Sequence, residues 1–357
     1  MEKRIKIYDK KFISACYFRS TVEAPNKKVI IQITERCNLF CKHCFVSSSR
    51  KGDEISFDKF RNNILSKLLQ CNTVKITLTG GEPLVHPNIK EIIELLSNNG
   101  IEVAVCTNAV LISDELIQLC SHLGTIHFNV SLDGFRPESH GTFRGNSNPD
   151  LFKTIINNIS KLGQAHLLNG ILVTPNKYAN IEEYQEICKF AKSICAKYVL
   201  FNPLSEFGRG QDATEVGRYK QQLVEIKELT QDYSDENFEV VYIRFPDPTK
   251  PIGDCPIGKI LYVFTNGDVA ICPYVAFAAK DRKSIYNSEQ FIVTNIFELQ
   301  GKLDDELKKY RLPFEPINKK QDILCKLKCS KGCYAAKISH GLSIYDCDYD
   351  LCGLKNL

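Results

Sequence analysis

The sequence lacks the features that would point to a membrane, an export pathway or a nucleic acid. No apolar run reaches the roughly 18 residues that a membrane-spanning helix needs. The charged opening segment MEKRIKIYDKKFISACYF has no apolar core of the kind found in signal peptides. The 46 basic and 42 acidic residues nearly cancel and form no long block of one sign. The sequence therefore predicts a soluble, cytoplasmic protein with neither a nucleic-acid nor a membrane partner.

The chain also lacks internal repeats of solenoid period and low-complexity tracts. Its 357 residues, 43% hydrophobic and 25% charged, have globular proportions. That length is enough for one large domain and a smaller one.

Cysteine, by contrast, is unusually abundant, with 16 residues. Without an export signal a disulfide scaffold is not expected, and clustered cysteines indicate metal ligation. One group comprises Cys37, Cys41 and Cys44. A second comprises Cys255, Cys272, Cys325, Cys329, Cys333, Cys347 and Cys352. The dispersed remainder is predicted to be buried as small hydrophobic residues: Cys16, Cys71, Cys106, Cys120, Cys188 and Cys195.

From about residue 29, short β-branched runs alternate with amphipathic helical segments, which is typical of repeated βα units. The predicted strands cover residues 29–34, 73–80, 101–108, 126–134, 167–175 and 197–205. Six strands with intervening helices predict an α/β fold with a parallel sheet, a partial (β/α)6 TIM-type barrel.

Chemically distinctive residues follow directly on the predicted strands. Cys37 follows the first, the stretch Gly80-Gly81-Glu82 the second, Asn108 the third, and Ser131 with Asp133 the fourth. Because functional residues of such barrels collect at the carboxyl ends of the strands, this coincidence predicts one site at that end.

The alternation stops near residue 210. We expect an N-terminal extension (1–28), the barrel (29–210), a helical connection (211–240) and a small C-terminal cysteine-rich domain (241–357). In the last region KILYVFT-NG-DVAICPY predicts a hairpin whose two-residue turn takes positive φ angles at Asn266 and Gly267.

Cys37, Cys41 and Cys44 lie in one loop, at spacings of four and three residues. One loop can therefore wrap the three thiols around a single metal centre. Structural zinc requires four closed ligands, and the one nearby candidate, His43, lies inside the triplet. Three thiolates on a [4Fe-4S] cluster instead leave one iron free to bind a substrate or cofactor. Zinc is the alternative.

CNLFCKHC resembles the Cys-x3-Cys-x2-Cys signature of the radical S-adenosylmethionine (SAM) superfamily, with His43 at a position that is commonly aromatic. The resemblance covers roughly residues 29 to 205. It implies that the free iron binds SAM, and that one electron, from a donor such as flavodoxin or ferredoxin, cleaves SAM to a 5′-deoxyadenosyl radical that abstracts hydrogen from a substrate.

The same resemblance implies SAM contacts at the barrel mouth. Gly80, Gly81 and Glu82 match the GGE motif, in which glycines permit close backbone approach and a carboxylate suits an ammonium group. Arg144 resembles the arginine that pairs with the methionine carboxylate. Short polar residues that hold the ribose and carboxylate of SAM are matched by Asn108, Ser131 and Asp133. Singly, each could also be an ordinary turn residue or a solvated side chain.

The second cysteine group resembles the SPASM domain, which holds auxiliary iron-sulfur clusters. Cys255, Gly267 and Cys272 match its opening, whereas the later cysteines depart from the usual spacing. The resemblance implies one cluster on Cys255, Cys272 and Cys333 with an open iron. A second cluster would be held by Cys325, Cys329, Cys347 and Cys352. A single cluster, as in the shorter twitch variant, and a zinc site are the alternatives.

Proteins with both regions mostly modify peptides, so the resemblance implies cross-linking or epimerisation of a ribosomally made precursor. Only about 28 residues precede the first strand, so leader recognition is expected to need a separate protein or the barrel mouth. Oxidation or rearrangement of a metabolite such as a sugar or nucleoside, and a non-catalytic metal-cluster protein that binds peptides, are the alternatives. No catalytic acid or base is identified.

Overall fold

Ten strands form the centre of the protein, described here from a computed structural model. The structure describes residues 11–16, 22–247, 249–255, 257–313, 332–348 and 351. The strands are β1 (Lys27–Thr34), β2 (Thr73–Gly80), β3 (Glu102–Thr107), β4 (Ile126–Ser131), β5 (Leu168–Val173), β6 (Tyr198–Phe201), β7 (Glu239–Tyr242), β8 (Ile260–Val263), β9 (Asp268–Ala270) and β10 (Ile292–Asn295). They pair in the order β10-β9-β8-β1-β2-β3-β4-β5-β6-β7.

The strands from β8 and β1 through to β7 are all parallel to their neighbours, and β9 and β10 add an antiparallel edge. The predicted parallel barrel sheet is therefore confirmed. Its strands are rich in β-branched residues that are buried, such as Val29, Ile31 and Ile33 of β1, as expected of parallel strands covered on both faces.

Helices connect the parallel strands at most of the predicted positions. Their bounds are α1 (Phe57–Lys59), α2 (Ser66–Gln70), α3 (Ile89–Asn98), α4 (Asp114–Leu123), α5 (Pro137–Arg144), α6 (Pro149–Gln164), α7 (Ile181–Ser193), α8 (Lys220–Thr230), α9 (Pro273–Ala278), α10 (Leu303–Lys309) and α11 (Tyr334–Ser339). A π-helical stretch, Phe60–Leu65, joins α1 to α2. The ends follow local chemistry: Ser113 caps α4 by accepting from Leu116 N–H, and Gly124 ends it with a φ of 70°.

Two parallel strands extend the sheet beyond the six predicted. β7 has only four residues and pairs with β6, so it gave no clear signal in the sequence. β8 lies in the predicted hairpin, but it pairs in parallel with β1 through partners such as Val29 and Leu261. Because β1 and β8 are far apart in the chain, their pairing produces no local sequence pattern.

The hairpin of β8 and β9 is present, but the predicted turn is wrong. Gly267 has a φ of 90°, whereas Asn266 is not among the described residues with a positive φ. Gly267 N–H donates to the Phe264 carbonyl, and Phe264 N–H donates to the Asp268 carbonyl. This pattern indicates a type I turn followed by a glycine bulge rather than a two-residue turn. Across the described residues, no helix combines the length and apolarity that crossing a bilayer would need.

Candidate active site

The loop after β1 carries the first cysteine group. Cys37 N–H donates to the Ser49 carbonyl at 2.6 Å, and Cys44 N–H donates to the Cys41 carbonyl at 3.4 Å. Leu39 N–H donates to the Cys37 sulfur at 3.4 Å. The Cys37 and Cys41 side chains are buried, and Cys44 is half-buried. Backbone hydrogen bonds thus hold all three cysteines in one loop at the carboxyl end of β1.

The environment of Cys37 and Cys41 favours the protonated form of both thiols. Burial raises the pKa of Cys37 to about 11 and that of Cys41 to about 12. The neighbouring thiols add to these shifts, and the Arg144 guanidinium opposes them. Within the described ranges no three Cys, His, Asp or Glu side chains close on a single metal ion. Metal binding by these thiols would release their protons.

The two glycines at the end of β2 pack against the start of the cysteine loop. Gly81 N–H donates to the Thr34 carbonyl at 2.8 Å. A Cβ atom on Gly80 would lie 2.4 Å from the Thr34 oxygen, and one on Gly81 would lie 2.3 Å from the Arg36 oxygen. The two glycines therefore allow the end of β2 to lie close to the backbone of the cysteine loop. Their contact with SAM stays a prediction.

Glu82 is buried and joins β2 to β3. Its Oε1 accepts from the Thr107 hydroxyl at 2.7 Å and from Leu84 N–H at 3.1 Å, and its Oε2 accepts from Asn108 N–H at 2.7 Å. Burial raises the pKa of Glu82 to about 7, although these hydrogen bonds and Arg144 favour the charged form. The carboxylate thus has several partners within the protein, and its predicted contact with the SAM amino group stays a prediction.

Asn108 connects the end of β3 to the cysteine loop. Its side-chain amide donates to Oδ1 of Asn38 at 2.8 Å, and its own Oδ1 accepts from Val110 N–H at 3.0 Å. The same Asn38 oxygen lies 3.9 Å from the Cys37 sulfur. Sequence reasoning did not single out Asn38. The one signal available was its position directly after Cys37 in the sequence.

Asp133 and Arg144 form a buried ion pair next to the loop. Oδ2 of Asp133 accepts from Nε of Arg144 at 2.7 Å, while Oδ1 accepts from Thr174 N–H at 2.7 Å. Nη1 of Arg144 lies 3.9 Å from the Cys41 sulfur. Burial works against the charged guanidinium, but Asp133 and Cys41 outweigh it and raise the pKa of Arg144. A fixed cation therefore lies beside Cys41.

Ser131 and Asp133 both lie near the end of β4, where the sequence predicted them. Ser131 is the last residue of that strand and is half-buried. The Asp133 carboxylate is bound by protein partners, so in this structure it positions Arg144. The SAM contacts predicted for Ser131, Asp133 and Arg144 stay predictions.

His43 packs between the loop and α5. Its ring stacks on Phe143 at 4.0 Å with an interplanar angle of 6°. Its Nε2 lies 3.7 Å from Asp133, and its buried Nδ1 has no hydrogen-bond partner among the described residues. Burial, with Arg144 and Arg209, holds the pKa of His43 well below its usual value. The ring is therefore neutral, and its contact with SAM stays a prediction.

Arg209, which follows β6 in the sequence, holds the cysteine loop in place. Its Nε donates to the Cys41 carbonyl at 2.8 Å and its Nη1 to the Ser48 carbonyl at 2.7 Å. Its guanidinium lies 3.9 Å from the centre of the Phe40 ring. Sequence reasoning missed this residue, because the short 3-10 helix Gly208–Asp212 that contains it carries no motif.

A second group of thiols lines one cavity next to β8 and β9. The group contains three predicted ligands, Cys255, Cys272 and Cys333, and it also contains Cys16. Burial raises the pKa of Cys272 to about 12. Cys16 is buried among apolar residues, as predicted, and it also lies next to other thiols.

Of the other predicted ligands of the C-terminal region, the structure describes Cys347. Cys347 is half-buried and is not among the residues that line the cavity. Cys325, Cys329 and Cys352 lie outside the described residues. The second auxiliary cluster stays a prediction.

The burial predicted for the dispersed cysteines is confirmed for Cys71, Cys120 and Cys188, and Cys106 is half-buried. It is wrong for Cys195, which is exposed and has a φ of 59°. The apolar spacing of EEYQEICKFAKSIC predicted a helix through Cys195. Because α7 ends at Ser193, the thiol falls in the turn that follows.

Comparison with known proteins identifies the barrel. Residues 31–191 match the family profile of the Radical SAM superfamily. The antilisterial bacteriocin subtilosin biosynthesis protein AlbA of Bacillus subtilis is 28% identical over 244 residues, 68% of this chain and 53% of AlbA. The AdoMet-dependent heme synthase of Methanosarcina barkeri is 31% identical over 189 residues, 52% of each chain. This chain spans about half the length of these curated relatives.

The solved structure of Streptococcus suis SuiB bound to S-adenosylmethionine has a TM-score of 0.69, covers 90% of this chain and 76% of SuiB, and is 19% identical. SuiB bound to precursor peptide SuiA has a TM-score of 0.65 and 19% identity, over 87% of this chain and 72% of SuiB. At these identities the likeness concerns the fold alone. The profile match shows that the chain carries a radical SAM domain over residues 31–191.

Proposed function

We propose that this chain is a radical SAM enzyme that modifies a peptide, by cross-linking it or by inverting a stereocentre. The observation that carries the proposal is the three-cysteine loop at the carboxyl end of β1, with the buried Asp133–Arg144 pair beside it. A site of thiols and a fixed cation suits an iron-sulfur cluster with an anionic ligand.

The residues at the barrel mouth fit a [4Fe-4S] cluster and SAM. Cys37, Cys41 and Cys44 supply three thiolates, which leave one iron for SAM. Arg144 supplies a buried guanidinium suited to a carboxylate, and His43 offers an unpaired ring nitrogen within the described part of the chain. A cluster held by Cys37, Cys41 and Cys44 would supply one-electron reduction to bound SAM, and Arg144 would hold the SAM carboxylate.

Protein residues around the loop have positioning roles in this account. Asp133 holds the Arg144 guanidinium through Nε, which leaves its Nη groups for a ligand. Glu82 and Asn108 tie the ends of β2 and β3 to each other. Because these side chains are buried, the site excludes water and preserves its geometry as SAM binds.

A peptide substrate is supported by the proteins that share this architecture. AlbA is a bacteriocin biosynthesis protein, and SuiB has been solved with a precursor peptide. The four-thiol cavity beside β8 supports an auxiliary cluster in a SPASM-like region. The proposal includes an electron donor such as flavodoxin or ferredoxin and, for leader capture, either a separate protein or the barrel mouth.

A second candidate is the radical oxidation or rearrangement of a small metabolite. The observation that favours it is the 31% identity with a heme synthase, which acts in metabolite synthesis. A fold and a cofactor do not determine a substrate, so a substrate experiment has to separate the two candidates.

The experiment incubates the reduced, reconstituted enzyme and SAM with short peptides encoded beside its gene, followed by mass spectrometry. Loss of two hydrogens identifies a cross-link, and solvent deuterium gained without net mass loss identifies epimerisation. Cys41→Ala serves as the inactive control and Cys120→Ala, at a buried thiol of α4 that belongs to neither cysteine group, as the matched active one. Unchanged peptides together with a consumed metabolite would favour the second candidate. Full cluster loading without any 5′-deoxyadenosine would point to a non-catalytic peptide-binding protein.

A further inference from the structure

Cys16 lies with three cysteines that the sequence assigns to an auxiliary cluster. Its thiol lies next to those of Cys255 and Cys333 and 3.7 Å from the Asp254 carbonyl oxygen. These thiols and that of Cys272 line one cavity, whose other walls are largely aliphatic: Ile257, Ile260, Ile271 and Val275. Four thiols therefore converge where the sequence predicted three.

The surroundings of the thiols suit a thiolate-bound cluster. The backbone N–H groups of Tyr274 and Val275 lie near the Cys272 sulfur, and that of Tyr334 lies near the Cys255 sulfur. Hydrogen bonds to ligand sulfur stabilise iron-sulfur clusters and tune their potentials. The donor set and the apolar walls together fit an iron-sulfur cluster.

The segment that carries Cys16 is held in place by backbone pairing. Ile13 N–H donates to the Pro251 carbonyl at 2.9 Å, and Gly253 N–H donates to the Ile13 carbonyl at 3.0 Å. Ile13 also forms a parallel bridge with Ile252. The pairing places Cys16 next to the chain that leads to Cys255.

A buried ion pair joins the same segment to Cys333. Arg244 N–H donates to the Ser14 carbonyl at 2.7 Å, and its Nη1 donates to the Ala15 carbonyl at 3.1 Å. The Arg244 guanidinium binds both carboxylate oxygens of Asp348, at 2.6 and 2.9 Å. Oδ2 of Asp348 accepts from Cys333 N–H at 3.3 Å. Arg244 and Asp348 thus fix Cys16 and Cys333 relative to each other.

We infer that Cys16 is the fourth ligand of an auxiliary iron-sulfur cluster that Cys255, Cys272 and Cys333 also bind. The inference rests on the proposed function, from which the cluster itself follows. Each thiol releases one proton to solvent as it binds iron, and no electron is transferred. With four protein ligands the cluster has no open iron, in contrast to the three-ligand cluster that the sequence suggested. The substrate must then bind away from this cluster.

The test measures iron rather than turnover. In the full chain, Cys37, Cys41 and Cys44 are replaced by alanine together, so that the iron spectra no longer include the barrel cluster. Adding Cys16→Ala should remove one iron and produce the EPR signal of an oxidised three-iron cluster, or remove about four irons with the whole cluster. Cys120→Ala, at another fully buried thiol, should do neither.

A Cys16→Ala chain that keeps its iron content and an unchanged four-iron Mössbauer spectrum would overturn the inference, as would stoichiometric zinc in this cavity. Cys16→Ser, close in size and polarity, covers the case in which the alanine variant misfolds, and its cluster should also change in EPR spectrum. SAM cleavage is assayed separately in the otherwise native chain. A native chain that makes no 5′-deoxyadenosine while its cluster still depends on Cys16 would refute the proposed function and leave this inference standing.

Discussion

Asp133 accepts a 2.7 Å hydrogen bond from Nε of Arg144. Asp133 lies just after β4, and Arg144 is the last residue of α5. Arginine is thereby held by one edge of its guanidinium, with Nη1 3.9 Å from the Cys41 sulfur. A planar cation fixed in this way can present its remaining donors to a carboxylate without losing further side-chain freedom. The pair is the feature from which the SAM-binding prediction follows.

Arg144→Lys is expected to weaken SAM binding about 10- to 100-fold, because lysine keeps the charge but loses the planar donor fork, and charge-assisted hydrogen bonds contribute about 1.5–3 kcal/mol. Equilibrium binding of SAM to the reconstituted protein measures the change. Arg136→Lys is the control, since Arg136 is exposed and pairs with Glu186 at 2.8 Å. Unchanged affinity in Arg144→Lys would remove Arg144 from the SAM site.

Glu82→Gln tests the raised pKa of a buried carboxyl group. Burial raises the pKa of Glu82 from 4.5 to about 7, so the folded state binds this proton more tightly than the unfolded state. The resulting stabilisation is fully present below about pH 4.5 and is lost as the pH rises through 7. The stability of the native chain relative to Glu82→Gln should therefore fall between about pH 5 and 7.5, by on the order of 1–3 kcal/mol.

Urea unfolding of both proteins without oxygen, at several pH values, measures this difference. Burial lowers the pKa of His140 to about 3, which gives an opposite slope. That slope is common to both proteins and cancels in the comparison. A difference that is constant with pH would show that Glu82 does not titrate in this window.

Gly81→Ala is expected to displace the cysteine loop. The new Cβ would lie 2.3 Å from the Arg36 carbonyl oxygen, so the backbone must shift at a cost of about 1–3 kcal/mol. The iron content of the barrel cluster should fall while the overall fold persists. Gly301→Ala is the matched control, because nothing lies within 4 Å of its added Cβ. Full iron loading in Gly81→Ala would contradict the tight packing of β2 against the loop.

Asp348→Asn should destabilise the protein by about 3–5 kcal/mol, because it leaves the buried Arg244 charge without its carboxylate. Thermal or urea unfolding measures the loss. Asp235→Asn, which removes an exposed pair with Lys192, should change stability by less than about 1 kcal/mol. Equal effects of the two substitutions would contradict a structural role for the Arg244–Asp348 pair.

The sequence predicted the barrel well because its signals are local. The run from Thr73 to Gly80 is β-branched and bounded by turns, and β2 has these same bounds. The motif residues follow directly on strands, and the carboxyl ends of parallel strands all lie at one rim of the barrel. Cys37 and Glu82 could therefore be assigned to one rim from the sequence alone, whereas Arg144 was predicted through the family resemblance.

The rest depends on contacts between distant segments. In the sequence, Cys16 looks like any other buried cysteine. Its place beside the other thiols depends on the pairing of Ile13 with residues 251–253. Arg209 lies in a short 3-10 helix, Gly208–Asp212, yet its side chain donates to the Cys41 carbonyl. Neither position has a periodic or motif signal, because hydrogen bonds between segments that are distant in sequence determine where Cys16 and Arg209 lie.

The most direct measurement of the central claim is SAM cleavage by the anaerobically reconstituted, dithionite-reduced protein. The account predicts a [4Fe-4S] cluster on Cys37, Cys41 and Cys44, with 5′-deoxyadenosine formed by the native chain and none by Cys41→Ala. Zinc bound at this loop, or undiminished cleavage in Cys41→Ala, would contradict it.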